Sequence, residues 1–285
     1  MKHASNRRSF LRGGIRLAGL AGLGAVVGAR PRKAEAATAP PLPWPYATLD
    51  VELMRKRGHL NYASKHCCAG VFTTLVEALA EQVGPPFDTV PCGMMAYGSG
   101  GVAGFASLCG ALNGAGAAMS LVCPQDTVKE LLSELLSWYA QTPLPTEISN
   151  GYAADNAYLA KDPYTIRKPL PQSVAGGNLC HMSVSNWCAV SKLGSGSKAR
   201  SERCARLTGD VAAKAAELLN AHFAGTFKQT HALPGNAHGC RQCHSKSESS
   251  HTRGKMDCMV CHVDPVVSRH HEAHRFMEML KKSEK

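Results

Sequence analysis

The sequence predicts a mainly α protein, a helical bundle domain followed by a small irregular C-terminal segment. Three observations carry that expectation. Apolar residues recur with helical spacing along several stretches, and no run alternates convincingly with the period of a strand. Ala and Gly crowd the middle of the chain, as closely approaching helices require. Beyond about residue 225 apolar residues thin out while Cys and His accumulate, so that segment needs a core made of something other than side chains. With 285 residues, 44% hydrophobic and 19% charged, the chain is long and apolar enough to fold.

Residues 1–36 read as a segment that is removed. Asn6-Arg7-Arg8-Ser9-Phe10-Leu11-Arg12 resembles the twin-arginine export signal, and Ala34-Glu35-Ala36 is a small-x-small cleavage site. The apolar stretch between them, Leu17 to Ala29, has 13 residues and is too short to span a bilayer. These 36 residues hold eight Lys and Arg against Glu35 alone, +7 of the net +11, leaving +4 for the rest. A basic body that binds nucleic acid is excluded. The expectation is a periplasmic protein, cleaved near Ala36, whose mature chain has no transmembrane segment. Pro40 to Pro45 cannot be helical, and residues 37–60 read as a stiff Pro-rich leader.

The helical domain is expected over 61–225. Val71, Leu75, Ala78 and Leu79 align on one stripe of a helix over 65–83. Gly98 to Gly104 is a glycine-rich entry to a second helix of small residues, 105–122, and no Lys follows it with the spacing of a phosphate loop. Thr127-Val-Lys-Glu130 has the form of a capping box opening a third helix to about Tyr139. Pro143, Pro145 and Gly151 mark an irregular stretch to about Gly177. Leu207, Val211, Ala215 and Leu218 align on a fourth helix over 198–223. A basic helix, 266–282, is expected to close the chain.

The C-terminal segment, 226–285, contains Cys240-Arg-Gln-Cys243-His244 and Cys258-Met-Val-Cys261-His262. Each is C-x-x-C-H, the attachment site of c-type haem: two thiols reach the vinyl groups of one porphyrin and the adjacent His ligates the iron. The pairs are separated by 14 residues, near the spacing of a zinc ribbon, but the His after each pair is what haem requires and zinc does not. Two haems c are therefore expected, with His244 and His262 proximal. Nine of the 13 histidines lie in 222–285, so both irons are expected to be bis-His. His231 and His251, each in loop sequence ahead of a motif, are the favoured distal ligands, with His238 the nearest rival. His270 and His274 read as a solvated helix face, and Met256 and Met259 as weaker thioether alternatives.

A second set of thiols forms no C-x-x-C: Cys67, Cys68, Cys92, Cys109, Cys123, Cys180, Cys188 and Cys204. Disulfides and buried free thiols are the ordinary readings for an exported protein. The export route favours a third. Haem c is attached outside the cytoplasm to an unfolded segment, so the haems do not explain a signal for folded cargo, whereas a cofactor inserted in the cytoplasm would. The thiols picked out for such an iron–sulfur cluster are Cys68, Cys109, Cys180, Cys188 and Cys204.

Cys68-Ala69-Gly70-Val71, the glycine-rich run, Cys109-Gly110-Ala111 and Cys204 on a late helix together resemble the C-GCA-type cysteine family. With the two C-x-x-C-H motifs and the export signal, residues 47–285 are similar to the split-Soret cytochrome c family. The sequence departs from it at His66-Cys67-Cys68, where the family usually has Gly before Cys. The resemblance implies a periplasmic homodimer with haems stacked at the interface, one distal His given by the partner subunit, and an iron–sulfur site in the helical domain. The expected function is electron transfer with a redox partner the sequence does not identify. A haem- or cluster-dependent reductase, for instance of metal ions, is the alternative, and a zinc-binding structural module a weaker one. An enzyme needs an open iron position, and the surplus of histidines argues against it.

Overall fold

The computed structural model describes residues 40–160, 166–233 and 254–260. The expected export signal and closing helix lie outside them, as do Cys240, Cys243, His244, His251, Cys261 and His262.

The first helix, α1, runs Val51–Val83, capped by Asp50, whose side chain accepts from the Leu53 amide. It starts well inside the expected leader. The sequence hid its first half because that half buries Met54, Arg55, Gly58 and His59, which form no apolar stripe. Leader residues ahead of it are not a free spacer either. The Trp44 amide donates to the Leu121 carbonyl, and Leu49 exchanges hydrogen bonds with the Asn220 side chain. At His66 the backbone turns to φ 58°, kinking α1 just before the two adjacent thiols.

The longest partner of α1 is α6, Lys198–Phe223, whose bounds match the expected helix and whose N-cap is Ser197. The two helices cross backbone to backbone. A Cβ on Gly58 would stand 2.9 Å from the Gly209 Cα, and one on Gly209 would run into the Arg55 carbonyl. Beside the kink lies α2, Gly110–Val122, close enough that a Cβ on Gly114 would meet the Cys68 carbonyl. It begins five residues later than the sequence suggested. Residues 98–108 are instead a loop whose positive φ values at Gly100, Gly101, Val102, Ala103, Gly104 and Ala106 break the helical path.

The third helix, α3, spans Gln125–Gln141 and starts at Pro124, so the expected Thr127 capping box is not used. The stretch expected to be irregular contains a two-residue antiparallel pair, β1 (Pro143–Leu144) and β2 (Ser173–Val174), and a short helix α4 (Glu147–Ala154). Strands of two residues leave no periodicity to read. Helix α5, Cys180–Ser191, follows. Asp210, fully buried on α6, ties α4 and α1 to it, accepting from Arg55 Nη1 (2.5 Å), Thr146 N (2.9 Å), Thr146 Oγ1 (2.6 Å) and Ser149 Oγ (2.6 Å). The protein is mainly helical, as the sequence predicts.

Candidate metal centre

Four elements each bring one thiol to the same place. The kink of α1 carries Cys67, the N-cap of α2 is Cys109, the first residue of α5 is Cys180, and α6 brings Cys204. Two backbone segments are stitched side by side to do it: Cys109 N donates to Asn178 O (2.8 Å) and Cys180 N to Ser107 O (2.7 Å). The four lie near enough that a thiolate charge on any one would oppose ionisation of the others. Cys109 and Cys180 also sit at helix N-termini, where partial positive charge favours a thiolate.

Cys68, the thiol singled out by the sequence, is fully buried and faces Gly98, and of the four it interacts with Cys109 alone. Cys67 meets Cys109, Cys180 and Cys204, its sulfur 2.5 Å from where a Cβ on Gly110 would stand. Cys188 is eight residues beyond Cys180 on α5, about 12 Å along the axis. It is not drawn into the group. Nothing in the sequence separates Cys67 from Cys68; the kink between His66 and the helix does.

Burial pushes the Cys67 thiol up to about 12 and that of Cys180 to about 11, so without a metal both stay protonated and inert. Among the described residues the eight cysteines between Cys67 and Cys204 form no disulfide. Among the described residues no three Cys, His, Asp or Glu side chains stand close enough to clasp a metal ion as placed, so a metal here must draw the thiols inward.

The surroundings are cationic. Arg203 is 1% exposed, donates from Nη2 to Ser183 Oγ at 2.9 Å, and acts electrostatically on Cys109 and Cys180. Its buried Nε has no hydrogen-bond partner, and no carboxylate pairs with it among the described residues. A buried guanidinium without a counter-anion is expensive. Neutral thiols do not offset it, whereas metal-bound thiolates do, and sulfur donors suit iron–sulfur clusters or zinc. Arg200 lies 3.9 Å from Cys204 Sγ, and it and Tyr62 line a cavity of about 360 Å³.

A second polar site stands on α3. Glu134, on the same buried stripe as Leu131 and Leu135, is 1% exposed. It accepts four hydrogen bonds: Thr230 N (3.0 Å), Thr230 Oγ1 (2.7 Å), His231 N (3.0 Å) and His231 Nδ1 (2.6 Å). Burial opposes its charge, yet the hydrogen bonds from His231 and Thr230 hold its carboxyl below the usual range. His231, one of the two favoured distal histidines, is 31% exposed at its side chain. The stretch around Cys258 reaches the same helix, since Lys255 Nζ donates to Ser133 Oγ at 2.8 Å. Cys258 itself is half-buried and opens a 3-10 turn, Cys258–Val260. Glu134 was missed in the sequence, although a carboxylate on an apolar stripe is a readable signal.

The family described as "Putative redox-active protein (C_GCAxxG_C_C)" matches residues 66–218, a span holding all four clustered thiols. The split-Soret cytochrome c of Desulfovibrio desulfuricans (strain ATCC 27774 / DSM 6949 / MB) is 36% identical over 205 residues, 70% of this chain and 70% of its own length. The solved structure of the split-Soret cytochrome c from Desulfovibrio desulfuricans ATCC 27774, reported for a novel iron centre, superposes with a TM-score of 0.67. That match has 32% identity and covers 79% of this chain and 92% of the other.

Proposed function

This chain belongs to the split-Soret cytochrome c family, and from that membership we propose that it is an exported, periplasmic dihaem electron-transfer protein that also carries an iron–sulfur centre. The haems are held by Cys240 and Cys243 and by Cys258 and Cys261, with His244 and His262 on the irons. The iron–sulfur centre is held by Cys67, Cys109, Cys180 and Cys204. When bound, these groups take up and release single electrons. The chain's own part is to bury them, orient their ligands and balance their charge. The observation that carries the reading of the helical domain is the buried, carboxylate-free Arg203 beside Cys109 and Cys180, two of four thiols that come from four elements. The relatives' names support haem and iron; the C-x-x-C-H motifs support two haems of the c type.

The test is the purified full-length protein. Its optical spectrum, a pyridine haemochromogen assay and iron and acid-labile sulfide determinations should give two haems c per chain together with labile sulfide. Protein held in the cytoplasm by Arg7→Lys with Arg8→Lys should contain the iron and sulfide without haem. A haem-free product from cells competent in haem c attachment overturns the cytochrome reading, and iron-free, sulfide-free cytoplasmic protein overturns the cluster.

One observation favours a reductase as the second reading. The cavity of about 360 Å³ lined by Tyr62 and Arg200 gives a small molecule a place against Arg200, which also contacts the Cys204 sulfur at 3.9 Å. Reoxidation of the reduced protein by metal ions at a saturating, catalytic rate supports it, and stoichiometric reoxidation alone rejects it.

A further inference from the structure

Glu134 is spent in an unusual way. A carboxylate that is 1% exposed on a helix stripe is destabilising unless it is fully satisfied, and this one is satisfied entirely by two consecutive residues of the chain leaving α6. Anchoring that chain needs only the backbone amides of Thr230 and His231. The fourth bond, from His231 Nδ1 at 2.6 Å, is the shortest, and it fixes the imidazole itself. With Nδ1–H donating to a carboxylate, the lone pair is on Nε2, at the other end of the ring. This is how histidines that bind metals are commonly held: the outer carboxylate sets the tautomer, locks the ring and makes Nε2 a stronger donor.

The position agrees with the chemistry. Ser133, the neighbour of Glu134, receives Lys255 Nζ at 2.8 Å, and Lys255 precedes Cys258 by three residues. Adjacent residues of α3 thus hold His231 and Lys255, the latter three residues ahead of the first cysteine of the second C-x-x-C-H motif. Resting on the dihaem reading above, we infer that Glu134 is a positioning residue for an iron ligand: it holds His231 so that Nε2 is the distal ligand of the haem attached at Cys258 and Cys261. The Glu134 carboxylate beside Nδ1 would make Nε2 a stronger donor to ferric iron, and so would lower the potential of that haem alone.

The experiment uses the full-length holoprotein and reads spectra and potentials. His231→Ala should turn one of two low-spin haems high-spin, and added imidazole should restore it. Glu134→Gln keeps an oxygen for the two amides but removes the charge. It should leave both haems low-spin while one midpoint potential rises, with a changed low-spin g-tensor for that haem only. Thr230→Val withdraws a hydroxyl from both Glu134 Oε1 (2.7 Å) and His231 Nδ1 (3.1 Å) but keeps the carboxylate charge, and should move that potential less than Glu134→Gln does. If Glu134→Gln does not accumulate, Glu134→Asp, which displaces the carboxylate from Nδ1, must shift the same potential in the same direction. Two low-spin haems in His231→Ala, or unchanged potentials and g-values in the Glu134 variant, overturn the inference while leaving the dihaem reading intact. Absence of haem from the wild type defeats that reading instead, so the two failures are distinguishable.

Discussion

Two neighbouring thiols show how much one backbone angle decides. Cys67 and Cys68 are chemically identical, but the φ of 58° at His66 sends one toward the other thiols and the other into the core beside Gly98. Cys67→Ser should therefore lose iron and labile sulfide while keeping the haems. Cys68→Ala should keep the iron and lose about 1 kcal/mol of stability, the cost of trimming a buried side chain. Metal analysis with urea unfolding separates the two, and iron loss in Cys68→Ala alone would reverse the assignment. A third thiol gives a pH signature away from the centre. Burial pushes Cys123 from 9.0 up to about 11. A neutral form favoured by folding stabilises fully below the unfolded value and is lost as pH rises through the folded one. The melting temperature should consequently decline between pH 9 and 11 more steeply in wild type than in Cys123→Ala, and parallel curves would contradict this.

Among the elements, the crossing of α1 and α6 controls where the thiols meet, because it fixes the kink against Cys204. Gly209→Ala puts a methyl into the Arg55 carbonyl and should cost about 1–3 kcal/mol by overpacking. Asp210→Asn removes one of the two carboxylates that pair with the buried Arg55, leaving Glu52, and should cost about 1.5–3 kcal/mol, the loss of a charged hydrogen bond. Urea titrations measure both, and iron content should fall with Gly209→Ala even where folding survives. The first half of α1 escaped the sequence for the same reason that it matters: it packs through Gly58 and a buried ion pair, so no apolar stripe announces it. The unused capping box at Thr127 failed differently, since Pro124 starts α3 earlier and Thr127 falls inside the helix.

At the scale of the whole molecule, the residues that bind the proposed haems form a short segment with few apolar side chains. On the proposed function, two porphyrins carried by so few apolar side chains would expose apolar faces, and a second copy related by a twofold axis would cover them reciprocally. The dimer proposed on this ground should show a split Soret band from porphyrins held close and nearly parallel. Dilution or mild denaturant that produces monomers, followed by sedimentation and absorbance together, should collapse the splitting. A stable monomer with a split band, or a dimer without one, rules the arrangement out. Among the described residues no helix is long and apolar enough to cross a membrane.

What the sequence determined by itself was whatever is written in a short window. The helical class, the full reach of α6, the second half of α1 and the order of residues in C-x-x-C-H are periodic or contiguous patterns of this kind. The tertiary structure decided what depends on residues far apart. It set Cys67, and not Cys68, near thiols from three other helices, and left Arg203 beside two of those without a carboxylate. It also joined Glu134 to His231, 97 positions apart. No local pattern encodes such a pair, because the gain from satisfying a buried charge exists only after the chain has folded to bury it.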